Sequence, residues 1–174
     1  MVLPDKYPKA RAHGLVLVHC PSPPAGPSDL VPGPASAALV RGMAAAGRAW
    51  AEGTGVPGPW RLGFHSSPSL EPLHMHVVSG DLVSDWMKTK KHWNSFAGAF
   101  FADANAVASY LDTGRRPVAL LPPAAADAAL KAPLACHRCG AEARTMPALK
   151  THIAACRAPV PFGEGSRDGA AGRA

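Results

Sequence analysis

The chain is poor in aromatic residues, which make up 6% of its 174 residues. It is also poor in acid, with 12 Asp and Glu against 18 Lys and Arg. Few large rings and a 47% hydrophobic share carried largely by alanine predict a modest core that is soft in places. The acid deficit leaves a formal charge of +6, which favours polyanions such as DNA, RNA or an acidic membrane surface. A basic surface without such a partner is the other reading. Long apolar runs are missing too. Pro4, Asp5, Lys6 and Pro8 interrupt the N-terminus, so no secretory signal core is expected. No stretch approaches the length of a membrane span, so no membrane partner is expected. The chain has four cysteines; three cluster near the C-terminus and Cys20 stands apart. Cytosol or nucleus is the expected compartment, and there clustered thiols point to metal rather than disulfide. No internal repeat is found. Gly (17) and Pro (19) are abundant and predict long irregular connections.

Leu15 to His19 is a short apolar run and predicts a buried strand. Residues 20–34 hold too much proline to be regular. From Ala35 to Glu52 the spacing of Leu39, Met43, Ala46 and Trp50 predicts an amphipathic helix with a core-facing stripe. Trp60–His65 and Leu73–Ser79 read as partner strands. Lys88 to Phe101 is polar and aromatic and matches no period. Residues 102–112 and 124–131 predict short helices, joined by a linker over 117–123. These readings divide the chain at residue 121, with a small module over 122–158 and a disordered tail over 159–174.

Within the small module the spacing is C-x2-C, twelve residues, then H-x3-C. Cys136 and Cys139 would form a knuckle on a turn, and His152 and Cys156 would project from one helix face. Three sulfurs and one nitrogen suit tetrahedral Zn²⁺, and four protein ligands leave no open position, so the metal is expected to be structural. His137 is an alternative ligand whose place inside the knuckle favours exposure. Leu149 would plug the small core. Lys131, Arg138, Arg144, Lys150 and Arg157 make the module basic. Such a finger contacts nucleic acid or, as the other possibility, protein.

His74 and His76 lie on one face of one strand. Two imidazoles at this spacing can bind a metal, act as nucleophile and supporting donor, or be satisfied core residues. Gly63, Ser66, Ser67 and Ser69 just before them, and Lys9, Arg11 and His13 earlier, are the donors that phosphate handling needs. An imidazole nitrogen can attack phosphorus and form a covalent intermediate that water opens.

Four blocks carry a resemblance. They are Asp5-Lys6-Tyr7-Pro8-Lys9-Ala10-Arg11 with His13 and Leu15-Val16-Leu17; Arg61-Leu62-Gly63-Phe64-His65 with Pro68-Ser69 and Leu73-His74-Met75-His76-Val77-Val78-Ser79; Lys90-Lys91-His92-Trp93-Asn94-Ser95-Phe96; and the cysteine–histidine module. In this order they resemble the aprataxin branch of the histidine-triad proteins over roughly residues 5–157. The resemblance implies an α+β histidine-triad fold, an antiparallel sheet with a flanking helix, plus a small C-terminal zinc finger. It implies a hydrolase that removes AMP from 5′-adenylated DNA ends left by abortive ligation, in single-strand break repair in the nucleus. The partners implied are nicked double-stranded DNA, with RNA–DNA junctions open, and AMP as product. The nucleophile falls on His74, which must be neutral to attack. His76 and Ser69 would donate to phosphate oxygens. His65 would serve the DNA-side phosphate or the leaving group, or be a strand-end surface residue. Lys9 and Arg11 are further contacts or structural pairs. Lys88, Lys90, Lys91, His92, Arg138 and Lys150 would face DNA, or be solvated charge, and Trp93 would stack or pack. Two departures from the family pattern stand out. The first triad position is Pro72 rather than His, with activity expected to survive. Before the Asp5 block, Val2 and Leu3 leave no room for the family's strand lining the adenosine pocket. Rival readings are a small-nucleotide hydrolase and an inactive DNA-end-binding module.

Overall fold

A computed structural model describes residues 1–117 and 119–162 of the chain. Five strands form one antiparallel sheet in the order β1-β2-β4-β3-β5: β1 (Val2–Pro4), β2 (His13–Leu17), β3 (Trp60–His65), β4 (His74–Ser79) and β5 (Phe101–Asp103). Alternation along β4 explains the layering. Met75 and Val77 point to one face with Leu62, Phe64 and Val16, while His74, His76 and Val78 point to the other.

The first face is covered by α1 (Pro34–Gly53) and α3 (Ala104–Asp112). Ala37, Val40, Met43, Ala44, Gly47 and Ala51 are the buried residues of α1; Leu39 and Trp50 lie at its margins. Ala46, expected in the stripe, faces solvent, because the buried face is centred on Gly47, where the helix lies against Val77 and Leu62. Asp103 caps α3 by accepting from the amides of Asn105 and Ala106.

The second face is covered by α2 (Lys90–Ala97) and the finger, built from β6 (Leu134–Ala135), β7 (Glu142–Ala143) and α5 (Met146–Ala155), while α4 (Pro123–Lys131) packs against α2. The unassigned stretch after Lys88 therefore holds a helix, started by Thr89, whose hydroxyl accepts from the His92 amide.

Two expectations are corrected. A strand, β1, does precede the Asp5 block: Val2, Leu3 and Pro4 register with Val16, Leu15 and Gly14. It escapes periodicity because it is three residues long. Val160 and Phe162, placed in the tail, pack on the body beside Gly80. Residues 163–174 lie outside the described residues.

Gly63 sits where β3 meets both β4 and β5, opposite His76 and Asp103. A Cβ there would lie 2.1 Å from the Ala102 carbonyl oxygen and 2.5 Å from the Phe101 ring. The backbone cannot yield cheaply, so Gly63→Ala is expected to cost about 3 kcal/mol. Urea denaturation checks this; an unchanged midpoint would show that β3 and β5 part more easily than their packing implies.

A candidate active site and metal centre

The β4 register places His74 opposite Leu17 and His76 between Leu15 and Gly63. Both imidazoles are buried, with His74 9% exposed. His74 Nδ1 lies 2.9 Å from the Pro72 carbonyl oxygen. A carbonyl only accepts, so Nδ1 carries the proton and Nε2 keeps its lone pair. The group that orients His74 is thus the main-chain carbonyl of residue 72.

A second chain of bonds fixes His76. The Lys9 amide donates to His13 Nδ1 at 3.2 Å. His13 must then carry its proton on Nε2, which lies 3.0 Å from His76 Nδ1. His76 in turn carries its proton on Nε2, a buried atom with no protein partner. A buried N–H without an acceptor is costly and is the arrangement expected where a ligand oxygen completes it. His65 sits at the end of β3 with its ring centroid 4.2 Å from that of His76. Its Nε2 is also buried and unpartnered. His65 is therefore a half-buried residue whose Nε2 faces the interior beside His76. Phe96 packs edge-on against His13, His65 and His76.

Burial keeps these rings neutral. It pushes His13 down to about 4 and His65 to about 3, and it holds His76 well below the ordinary histidine range. The neighbouring cations, Lys9 among them, act in the same direction, while Asp5 opposes them at His13. Because the folded values are depressed, the unfolded chain binds more protons between pH 6.5 and about 4. Stability is thus complete above about pH 6.5 and is lost as pH falls through that window. The melting temperature is expected to drop by roughly 10 °C between pH 7 and pH 5. A flat calorimetric profile over that range would mean that the rings are charged in the fold.

Other named residues fall into two groups. Lys9 is half-buried, donates to the Tyr7 carbonyl and lies close enough to act electrostatically on all three rings. Ser69 is exposed on the loop between β3 and β4, beside a cleft of about 620 Å³ bordered by Ser66, Glu71, Asp29 and Arg116. Arg11 is exposed, and its amide donates to Asp81. Lys88, Lys91 and half-buried His92 sit at the start of α2. Trp93 packs and does not stack on anything external: it is 1% exposed and its Nε1 donates to the Ala135 carbonyl. Lys90 donates to Lys131 O, and Lys150 to Ser84 O, so both bridge to the finger region or from it. Arg138 donates to Cys156 O and holds the finger together, which takes its guanidinium away from an outer surface.

Arg61, which opens one of the resemblance blocks without an assigned role, has a structural one. Its guanidinium carbon lies 4.4 Å from the Phe101 centroid and 4.6 Å from that of Phe162. It donates to the carbonyls of Phe96 and Phe101. One side chain thus ties the site's phenylalanines to the chain after the finger.

In the finger, the ligand atoms of Cys136, Cys139, His152 and Cys156 lie within 4.8 Å of one another. Cys136 and Cys156 sulfurs are 3.9 Å apart, and Cys139 Sγ is 3.2 Å from His152 Nε2. A tetrahedral zinc with ordinary bond lengths needs edges of about 3.8 Å between sulfurs and about 3.6 Å between sulfur and nitrogen. The four residues fit the ion. Gly140 makes the knuckle possible at φ +76°, and Leu149 is fully buried as the plug. His137 is not a surface residue: its Nε2 bonds Gly80 O at 2.9 Å and its ring stacks on Phe162. A second cluster, Asp5, His13 and His76, has donor atoms as close together. There the two imidazole nitrogens are 3.0 Å apart in a direct hydrogen bond. The facing nitrogens are taken up by that bond, and His13 Nδ1 by the Lys9 amide, so this cluster serves proton placement.

Comparison with known proteins agrees with this geometry. Residues 1–92 match the family model described as scavenger mRNA decapping enzyme C-term binding, and residues 98–157 match the C2HE / C2H2 / C2HC zinc-binding finger. The chain is 34% identical to the aprataxin of Ciona intestinalis over 90% of its own length and 40% of that protein. It is 36% identical to the aprataxin of Gallus gallus, covering 88% of this chain and 47% of the relative. Identity to the aprataxin of Danio rerio is 38%, over 88% and 46%. The chain thus spans less than half the length of these curated relatives. Among solved structures, the aprataxin ortholog Hnt3 from Schizosaccharomyces pombe superposes with a TM-score of 0.71 at 23% identity, covering 88% of this chain and 79% of that one. The same ortholog in complex with DNA gives 0.65, at 23% identity over 88% and 80%. The chain belongs to the aprataxin-like branch of the histidine-triad proteins and carries that branch's zinc-binding finger at its C-terminal side.

Proposed function

We propose that this chain is a DNA 5′-adenylate hydrolase acting through a histidine–AMP intermediate. The observation that carries the reading is the fixed tautomer of His74, with Nδ1 bonded to Pro72 O and Nε2 free to attack. In the first step Nε2 attacks the AMP phosphorus. A P–N bond forms, and the bond from that phosphorus to the bridging oxygen breaks. DNA leaves with its 5′-phosphate. In the second step water attacks the same phosphorus and gives up a proton to solvent, the P–N bond breaks, and AMP departs as His74 recovers its lone pair. Each step gathers charge on phosphate oxygens, and the buried His76 and His65 Nε2 positions, with Lys9 nearby, are placed to meet it. Ser69 stands on the adjoining loop and would bind a non-bridging oxygen.

Cys136, Cys139, His152 and Cys156 would hold a zinc ion that adds folding energy to the finger, and four protein ligands would leave no open position for the reaction. The basic finger and the cations at the start of α2 would hold DNA by its phosphates, and a nuclear location follows from that task. The reading is supported by the identity to aprataxins and by the net charge of +6. The test uses a nicked duplex bearing a 5′-linked AMP in single-turnover excess of protein. Release of AMP together with a ligatable 5′-phosphate is expected, with a transient acid-labile AMP adduct on the protein. Binding without AMP release would leave a DNA-end-binding module instead. Release from a small AMP ester but not from the nick would favour the small-nucleotide hydrolase.

A further inference from the structure

The loop joining β4 to α2 sets an exposed tryptophan against an exposed tyrosine. Trp86 is 41% exposed and Tyr7 46%. Their ring centroids are 4.8 Å apart at an interplanar angle of 66°. Neither ring belongs to the two buried clusters of the fold. Two large rings left together in water mark a contact surface more than a packing need.

Charge indicates the occupant. Lys88 Nζ lies 4.5 Å from the Trp86 centroid, and Lys6 Nζ lies 5.6 Å from that of Tyr7. Two of the nearby acids are turned to the backbone: Asp5 accepts from the Tyr7 amide, and Asp81 accepts from the amides of Arg11 and Val83, while Asp85 before Trp86 is exposed. The position also matters. Lys9 donates to the Tyr7 carbonyl and acts electrostatically on the site histidines. On the other side, Ser84 accepts Lys150 of the finger helix on its carbonyl and donates its hydroxyl to Pro8 O. The aromatic pair therefore lies on the path between the histidines and the finger. Aromatic faces among ammonium groups recognise unpaired nucleobases together with their phosphates. A paired duplex offers no free base face along its length.

We infer that Tyr7 and Trp86 form a stacking subsite for an unpaired base of the bound nucleic acid strand, with Lys6 and Lys88 on its flanking phosphates. The inference rests on the DNA-acting reading above. On stacking, the Lys88 ammonium exchanges the Trp86 ring for phosphate.

The test is equilibrium anisotropy with the full chain at one fixed salt concentration. Two adenylated nicked duplexes are compared: one has a short unpaired segment beside the adenylated end, and the other has abasic residues in that segment. The unmodified chain is expected to bind the base-bearing form about 10-fold more tightly. Trp86→Ala is expected to erase that difference, and Trp86→Phe to keep most of it. Equal binding of the two duplexes by the unmodified chain would overturn the subsite. So would a Trp86→Ala variant that weakens both duplexes by one factor, or neither. If the unmodified chain binds neither duplex, the DNA-acting reading has failed and the subsite fails with it.

Discussion

His74→Ala is expected to lower single-turnover release of AMP from an adenylated nick by about 10⁴-fold, since no covalent intermediate can form without the nucleophile. The fold should tolerate the change. His74 stands at the first position of β4, and its side chain makes one bond to the Pro72 carbonyl, worth about 1 kcal/mol. Affinity for the nick should stay within a few-fold, so the variant separates chemistry from binding. The companion variant is His76→Ala. It removes a donor aimed at developing charge and leaves the attacking atom in place, so it should slow the reaction by about 10²- to 10³-fold while the covalent adduct still forms. If His74→Ala retains most of the rate, water attacks phosphorus directly and the assigned nucleophile is wrong. If it abolishes DNA binding as well, His74 is a structural residue, and the tautomer argument carries no chemistry.

Stripping the metal is the second large effect. Structural zinc contributes on the order of 10 kcal/mol to finger-sized units. Chelation is therefore expected to unfold residues 134–157 and to weaken binding to nicked DNA at least about 10-fold, because the basic finger residues lose their fixed positions. Hydrolysis of a small AMP ester should persist. His74, His76 and His13 are held by bonds to Pro72, to each other and to the Lys9 amide, none of which comes from the finger. Loss of ester hydrolysis on chelation, restored by zinc, would instead move the metal to Asp5, His13 and His76. Circular dichroism, DNA affinity and ester turnover on one chelated sample distinguish the outcomes.

The parts of this fold that were legible in the sequence are those whose signal is local. Strands β3 and β4 alternate over six residues each, and the finger declares itself by ligand spacing. Helix α2 was hidden because eight residues with three charged or ionisable side chains at their start leave too short an apolar stripe, and Thr89 as cap was its one local mark. The nucleophile and its neighbour could be named from the strand and the family resemblance. What orders them could not. The bond between His13 and His76 joins residues 63 apart in the chain, and Arg61 reaches residues 35 and 40 positions away. Such partners are set by sheet register and by the finger's docking, which no window of sequence contains. The same holds for Tyr7 and Trp86, which are ordinary loop residues until the loop after β4 folds beside the Asp5 block.

The finger and the helix α4 before it are held to the rest of the chain largely through main-chain oxygens. Trp93 donates to Ala135 O, Asn94 to Leu130 O and Ala132 O, Lys90 to Lys131 O, His137 to Gly80 O and Lys150 to Ser84 O. A carbonyl is present whatever side chain the residue carries. In evolutionary terms, the residues that supply these carbonyls can drift without undoing the attachment, except Gly80, where a Cβ would lie 2.9 Å from the Pro59 carbonyl oxygen. Surface charge could be exchanged over time, while Trp93, Asn94 and the other donors keep the finger on the same face of the sheet as the histidines.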